Sequence, residues 1–235
     1  RSYLSPILDR KNLYVLKKAY VTRILIDQEK QAYGVSIHKN NVQFNVTASK
    51  EVIISAGALN SPQLLMLSGI GPKKHLEIFG LKTIQDLNVG YNLQDHLAFL
   101  GVFFSYTNAE GWKSMEKLQS SDDLYNYLTK RTAELGNPGS LDSMLYYDTT
   151  GTAPNYPDIQ MGFFIMRAQS HEIAAFAYSF RMRPEIVSAL MSIAGDYVIF
   201  PIMAILKPHL IGRVYLKSVD PFVSVGIQLD SSADS

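Results

Sequence analysis

Apolar and polar positions alternate through most of the first fifty residues. Val21, Ile24, Leu25 and Ile26 make Leu13 to Asp27 rich in β-forming side chains. Tyr33, Val35 and Ile37 fall on one face of Ala32 to His38, and Val42, Phe44 and Val46 repeat the alternation to Thr47. A period of two is the strand period, and Gln28-Glu29-Lys30 and Asn40-Asn41 separate the runs as turn residues do. The pattern predicts an antiparallel meander feeding a central sheet. Val52-Ile53-Ile54 then forms a short continuous apolar run, which suits a buried strand, and stops at Ser55-Ala56-Gly57. Ser61-Pro62 predicts a helix start, with Ser61 as cap and Pro62 at the first helical position. Gln63 to Leu67 supplies the apolar turns, and Ser68-Gly69-Ile70-Gly71 ends them with residues that permit φ > 0. A strand, a small-residue turn and a helix N-terminus can bring free N–H groups up to a ligand. The same order also describes an ordinary strand–helix connection.

Further along, Pro72 to Phe79 reads as a short helix stopped by Gly80, with His75 on its solvated face, followed by a strand over Lys82 to Leu87. Lys73 and Lys74 in the first turn oppose the helix dipole and argue against an anion site there. Gly90 and Asn92 mark a non-helical turn, and Asp95-His96 adjoins an apolar strand from Leu97 to Tyr106. An acid beside a histidine can orient and charge-tune the imidazole for proton transfer. Phe99, Phe103 and Phe104 suit either a pocket wall or sheet core. A mostly helical stretch runs from Trp112 to Gly136, with Ser121-Asp122-Asp123 as a capping start and Leu124, Tyr127 and Leu128 at helical spacing. Asn137-Pro138-Gly139 breaks it, and Gly151 to Pro157 is loop. A strand from Asp158 to Met166 precedes two short helices within residues 170–194, interrupted at Pro184. His171 reads as a surface residue. Val198 to Leu206 is an apolar strand whose Pro201 places it near an edge or a bulge.

Composition narrows the class. In 235 residues, 47% are hydrophobic and 18% charged, which is globular material sufficient for one large domain or parts of two. A net charge of +1, with no block of like charges, gives no bulk attraction to nucleic acid. The absence of cysteine removes disulfides, thiolate metal sites and cysteine nucleophiles, and no metal site is predicted. No uncharged apolar run reaches the ~18 residues of a membrane span. Asn45-Val46-Thr47 has the N-glycosylation acceptor pattern and gives weak support for a secreted protein. The polar tail from Asp230 to Ser235 and the start at Arg1, with neither Met nor signal pattern, predict a piece of something larger.

The string Gly57-Ala58-Leu59-Asn60-Ser61-Pro62, followed by Leu64-Leu65 and Ser68-Gly69-Ile70-Gly71, closely resembles the second signature of the glucose–methanol–choline (GMC) oxidoreductases, flavoenzymes that hold FAD and oxidise alcohols and sugars. Asn12-Leu13, Val21-Thr22-Arg23-Ile24-Leu25 and Gly34-Val35 match the family's preceding segment. Gly90, Asn92-Leu93 and Asp95-His96 match its "glycine, x, asparagine-leucine, x, aspartate-histidine" turn, and Gly212 to Phe222 resembles its late substrate-domain strand, with Ile211-Gly212 in place of the usual arginine-glycine. The likeness is greatest to the insect glucose-dehydrogenase-like branch. It implies an α+β / α/β architecture, with residues 1–90 as part of an FAD-binding domain and residues 91–235 as part of a substrate-binding domain. It further implies that Val21 offers its backbone to the adenine of FAD, that Ala56 and Gly57 lie close to the cofactor, and that Asn92 and His96 sit near the flavin. Ala98 stands where choline-oxidising relatives carry a glutamate, so a quaternary ammonium substrate is not expected.

A strand–GxGxxG–helix cradle for the pyrophosphate is absent, since Gly69-Ile70-Gly71 continues as Pro72-Lys73-Lys74. The family's late catalytic histidine has no counterpart either; His209 lies upstream of the Gly-Arg strand and does not match it. The chain is therefore expected to hold no catalytic residue and to be the central piece of an FAD-dependent enzyme acting on CH–OH donors, inactive alone. Its partners would be an alcohol or sugar and a quinone or oxygen acceptor. The alternative is a truncated, non-catalytic paralogue acting as a binding protein.

Overall fold

The computed structural model describes residues 3–107, 121–131, 141–151, 155–208 and 211–229. Trp112, Asn137-Pro138-Gly139, part of the 151–157 loop and His209 lie outside the described residues. The chain divides into two compact units, residues 1–94 with 210–235, and residues 95–209. The expectation grouped residues 91–235. Instead residues 91–94 and the chain beyond 210 pack with the first unit, because Gly212–Tyr215 finds its strand partners there.

The first unit opens with the meander: β1 (Tyr20–Ile26), β2 (Ala32–Lys39) and β3 (Val42–Thr47), antiparallel in that order. Lys30 at φ 65° and Asn40 and Asn41 at φ 50° and 61° make its turns; asparagine tolerates that conformation better than most side chains. The strand predicted over Val52–Ile54 does not form among the described residues. These residues pair with no strand, and Ile53 is 78% exposed. An unbroken apolar run needs sheet neighbours on both sides, and among the described residues it has none.

α1 (Gly57–Leu67) starts five residues before the predicted position. Gly57 takes φ +85°, Ala56 is the N-cap, and Ser61 Oγ accepts from the Ala56 N–H at 3.1 Å from within the helix. Pro62 is thus inside α1, where it removes the donor that Ala58's carbonyl would bond. Gly69 at φ +89° closes the helix as expected.

Next come β4 (Ile70–Gly71), α2 (Lys73–Ile78) and β5 (Gln85–Asp86), with β4 and β5 parallel. Pro72 is the extended N-cap of α2, and Asp86 Oδ1 accepts from the Lys73 N–H at 2.9 Å. β6 (Tyr91–Leu93) pairs with a strand from the far end of the chain (Gly212–Tyr215), which in turn pairs with one over Gly226–Gln228. Met66 and Leu67 of α1, Leu76 of α2 and Leu216 form the buried centre of this unit.

The second unit contains β7 (Leu97–Phe99), β8 (Phe104–Tyr106), α3 (Ser121–Lys130), β9 (Leu141–Tyr147), β10 (Ile159–Arg167), α4 (His171–Ser179), α5 (Pro184–Met191) and β11 (Tyr197–Ile205). Here β11 is central, not an edge strand: β10 pairs along one side, and β7 and β8 along the other. Pro201 is tolerated because β7 meets residues 203–205 and β8 meets 197–199. The proline's missing N–H falls opposite the gap between them. Pro184 begins α5, as expected of a proline at a first helical position, and His171 is exposed. Phe200, fully buried, meets the rings of Phe103 and Phe176 at 5.0 Å each. Phe103 is therefore core, whereas Phe99 and Phe104 are exposed. β12 (Gly212–Tyr215) and β13 (Gly226–Gln228) complete the chain in the first unit.

Candidate functional site

Val21 and Ala56, thirty-five positions apart in sequence, line one groove of about 240 Å³ together with Ala19, Tyr20, Asn60, Gln63, Leu64, Leu67 and Pro221. β1 forms one wall and α1 the other. Gly57 follows Ala56 directly; a Cβ there would meet nothing within 4 Å, so its glycine serves the positive φ beside an open face. The first turn of α1 carries no acidic side chain, which leaves the positive end of its dipole uncompensated. A cavity of this size takes a single ring system, being smaller than the ~300–1,000 Å³ typical of whole-ligand pockets.

The two walls are held in register by Ser68, which is 1% exposed. Its Oγ donates to the Leu64 carbonyl at 2.6 Å and accepts from the Ile24 N–H at 2.8 Å, so the end of α1 is tied to β1 three residues beyond Val21. The floor is fixed from the far end of the chain. Tyr20 Oη donates to the Pro221 carbonyl at 2.9 Å, Gln63 Nε2 donates to the Val223 carbonyl at 2.9 Å, and Phe222 packs on the Tyr20 and His38 rings at 5.2 and 5.1 Å. Sequence reasoning missed Tyr20, Gln63 and Ser68. The Asp220-Pro221-Phe222 pattern was visible but assigned to the other domain.

The opposite face of α1 borders a second, more open cavity of about 490 Å³, lined by Ala58, Ser61, Pro62 and Leu65 with Gly90, Tyr91, Asn92 and Gln94. Gly90 (φ +87°) and Asn92 (φ +62°), which the sequence marks as a non-helical turn, have left-handed backbone. Gly90 donates no space to any side chain: a Cβ would lie 2.1 Å from the Val214 carbonyl oxygen, and its own carbonyl accepts from the Val214 N–H at 2.7 Å. Asn92 lies within β6, which pairs with β12.

His96 and Ala98 lie in the second unit. Asp95 Oδ1 accepts from the backbone N–H of His96 at 2.9 Å and so does not act on the imidazole through this bond. Ala98 is exposed on β7 opposite Ala204. His75, expected on a solvated face, is half-buried. Its Nε2 accepts from the Leu216 N–H at 3.0 Å, and its ring meets Phe79 at 5.3 Å and Tyr215 at 6.3 Å. Burial first, and then the positive charge of Arg213, hold its pKa below the ordinary imidazole value.

The groove thus lies between an antiparallel meander and a glycine-started helix of an α/β unit. Comparison with known proteins gives it a family. Residues 1–98 match the GMC oxidoreductase family, and the chain belongs to it. It is 30% identical over 225 residues to ecdysone oxidase of Bombyx mori, covering 94% of this chain and 33% of that protein. It is 30% identical over 228 residues to glucose dehydrogenase [FAD, quinone] of Drosophila pseudoobscura pseudoobscura, again covering 94% and 33%. Among solved structures, formate oxidase superposes with a TM-score of 0.71 at 25% identity, over 94% of this chain and 40% of that one. The chain thus spans about a third of the length of the curated relatives it matches.

Proposed function

We propose that the chain is the central part of a secreted FAD-dependent oxidoreductase acting on CH–OH donors, with a sugar, a steroid alcohol or another small alcohol as substrate and a quinone or oxygen as electron acceptor. The observation that carries this reading is the convergence of Val21 and Ala56 on one groove beside the open face of Gly57. Ala19 and Ala56 leave room in the groove, and Val21, Leu64 and Leu67 give it the apolar walls that suit the flat face of an adenine. In this reading the Val21 backbone, Ala56 and Gly57 hold the nucleotide half of FAD. Asn92 of the first unit lies toward the flavin in this reading, while His96 and Ala98 of the second unit are assigned to the flavin and the substrate by the family resemblance alone. FAD, when bound, supplies the hydride acceptor. Ala98 presents no carboxylate to a cation, so quaternary ammonium substrates are disfavoured.

The test uses the full-length protein that carries this segment, purified and screened with alcohols and a dye acceptor. It should retain flavin absorbance through gel filtration and reduce the dye with at least one alcohol or sugar. Ala56→Trp, which fills the groove, should lower flavin occupancy at least tenfold. Full occupancy in that variant overturns the placement.

A further inference from the structure

Asn45-Val46-Thr47 is the only N-x-Ser/Thr sequence in the chain. It lies in β3, the outer strand of the meander, where every residue is exposed. β3 is an unusual edge. Its register with β2 runs from Gly34↔Thr47 to Lys39↔Val42 without a bulge, and its sequence, VQFNVT, contains neither proline nor charge. Val42, Phe44 and Val46 alternate along one face, all exposed. A flat, uncharged, apolar edge is a template for pairing with another strand, and edges of this kind normally carry a bulge, a proline or a charge that prevents it. None of these is present here. Gln43, Asn45 and Thr47 alternate along the other face, where Gln43 Nε2 donates to Ser36 Oγ at 2.9 Å and no hydrogen bond engages the Asn45 side chain among the described residues.

We propose that Asn45 carries an N-linked glycan, which shields the open edge of β3 from intermolecular strand pairing. The donor is a lipid diphosphate-linked oligosaccharide. A bond forms between Asn45 Nδ2 and C1 of the first N-acetylglucosamine, the C1–O bond to the diphosphate breaks, Nδ2 gives up a proton and the lipid diphosphate leaves. No oxidation or reduction is involved. The modification shares with the proposed function only delivery to the secretory lumen. The experiment supplies that delivery, so the two readings fail separately.

The whole chain is fused to a secretion leader and expressed in mammalian cells, and the same fusion is translated in vitro with microsomes. In both, one glycan is expected, removed by peptide-N-glycosidase to leave aspartate at position 45 in the peptide mass spectrum. Asn45→Gln and Thr47→Ala should each abolish it, whereas Thr47→Ser should retain it. Deglycosylated protein should shift to larger species in gel filtration. Thr47→Lys, which removes the acceptor but charges the edge, should stay at the size of the glycosylated chain. An unmodified Asn45 in both systems overturns the site; deglycosylation without any growth in size overturns the shielding.

Discussion

Ser68 is where the groove depends most on one hydroxyl. Ile24's N–H faces α1 and has Ser68 Oγ as its acceptor, so Ser68→Ala strands a buried donor. A lost buried partner costs about 1–3 kcal/mol, and here the loss should appear locally as faster hydrogen exchange of the Ile24 amide. Unchanged protection at Ile24 would show that β1 is held by β2 alone. Two glycines with positive φ separate strain from space. Gly80→Ala meets no atom and should cost about 1–2 kcal/mol through its φ of +67°. Gly90→Ala carries the same kind of penalty plus a Cβ 2.1 Å from a carbonyl oxygen, so it should lower the urea midpoint clearly more than Gly80→Ala does. Equal midpoints would mean that β6 and β12 part without cost.

At the scale of elements, α2 and β12 are joined by a bond that depends on protonation. His75 Nε2 accepts from Leu216, so the ring must be neutral there, and burial and Arg213 both favour the neutral form. The other ionisable groups on this small cavity besides Arg213 are the phenols of Tyr91 and Tyr215. A lowered folded pKa means that the unfolded chain takes up the proton first, from about pH 6.5 downward. The contribution is complete above that pH and is lost as the pH falls toward the lowered folded value. Exchange protection of the Leu216 amide should therefore weaken as the pH falls below about 6.5, and His75→Gln, which keeps an acceptor but does not titrate, should remove that trend. What the sequence revealed of these elements follows the range of the forces involved. Gly69, Gly90, Asn92, Asn40 and Asn41 announced their turns because positive φ is a local demand that few residues meet. Pro62 misled because a helix start is also set by what precedes it, here the left-handed Gly57 and the Ala56 cap. Val52–Ile54 and Pro201 were misread because a strand is completed by its neighbours, and no local pattern names them. The return of Gly212–Tyr215 to the first unit, and with it the anchoring of the groove by Pro221 and Val223, is a pairing across more than a hundred residues.

For the whole molecule the question is how much of a dinucleotide this chain can grip. Its groove of about 240 Å³ offers β1 and the start of α1 to one ring system. A pyrophosphate is ordinarily held by a glycine-rich turn opening a helix, whose N–H groups and dipole meet the negative charge. The sequence contains no GxGxxG, and the N-terminus of α2, the other candidate near this unit's centre, already has the Asp86 carboxylate at its Lys73 N–H. An anion would have to displace that carboxylate against like charge. The chain by itself should therefore bind FAD weakly through the adenine end and lose it on a column. After mixing with excess FAD and gel filtration, the protein peak should show no flavin absorbance, while adenosine monophosphate and FAD should compete for the same weak site in an equilibrium titration. A stoichiometric flavin on the protein peak would mean that the groove, together with residues that no phosphate motif identifies, suffices to hold the cofactor.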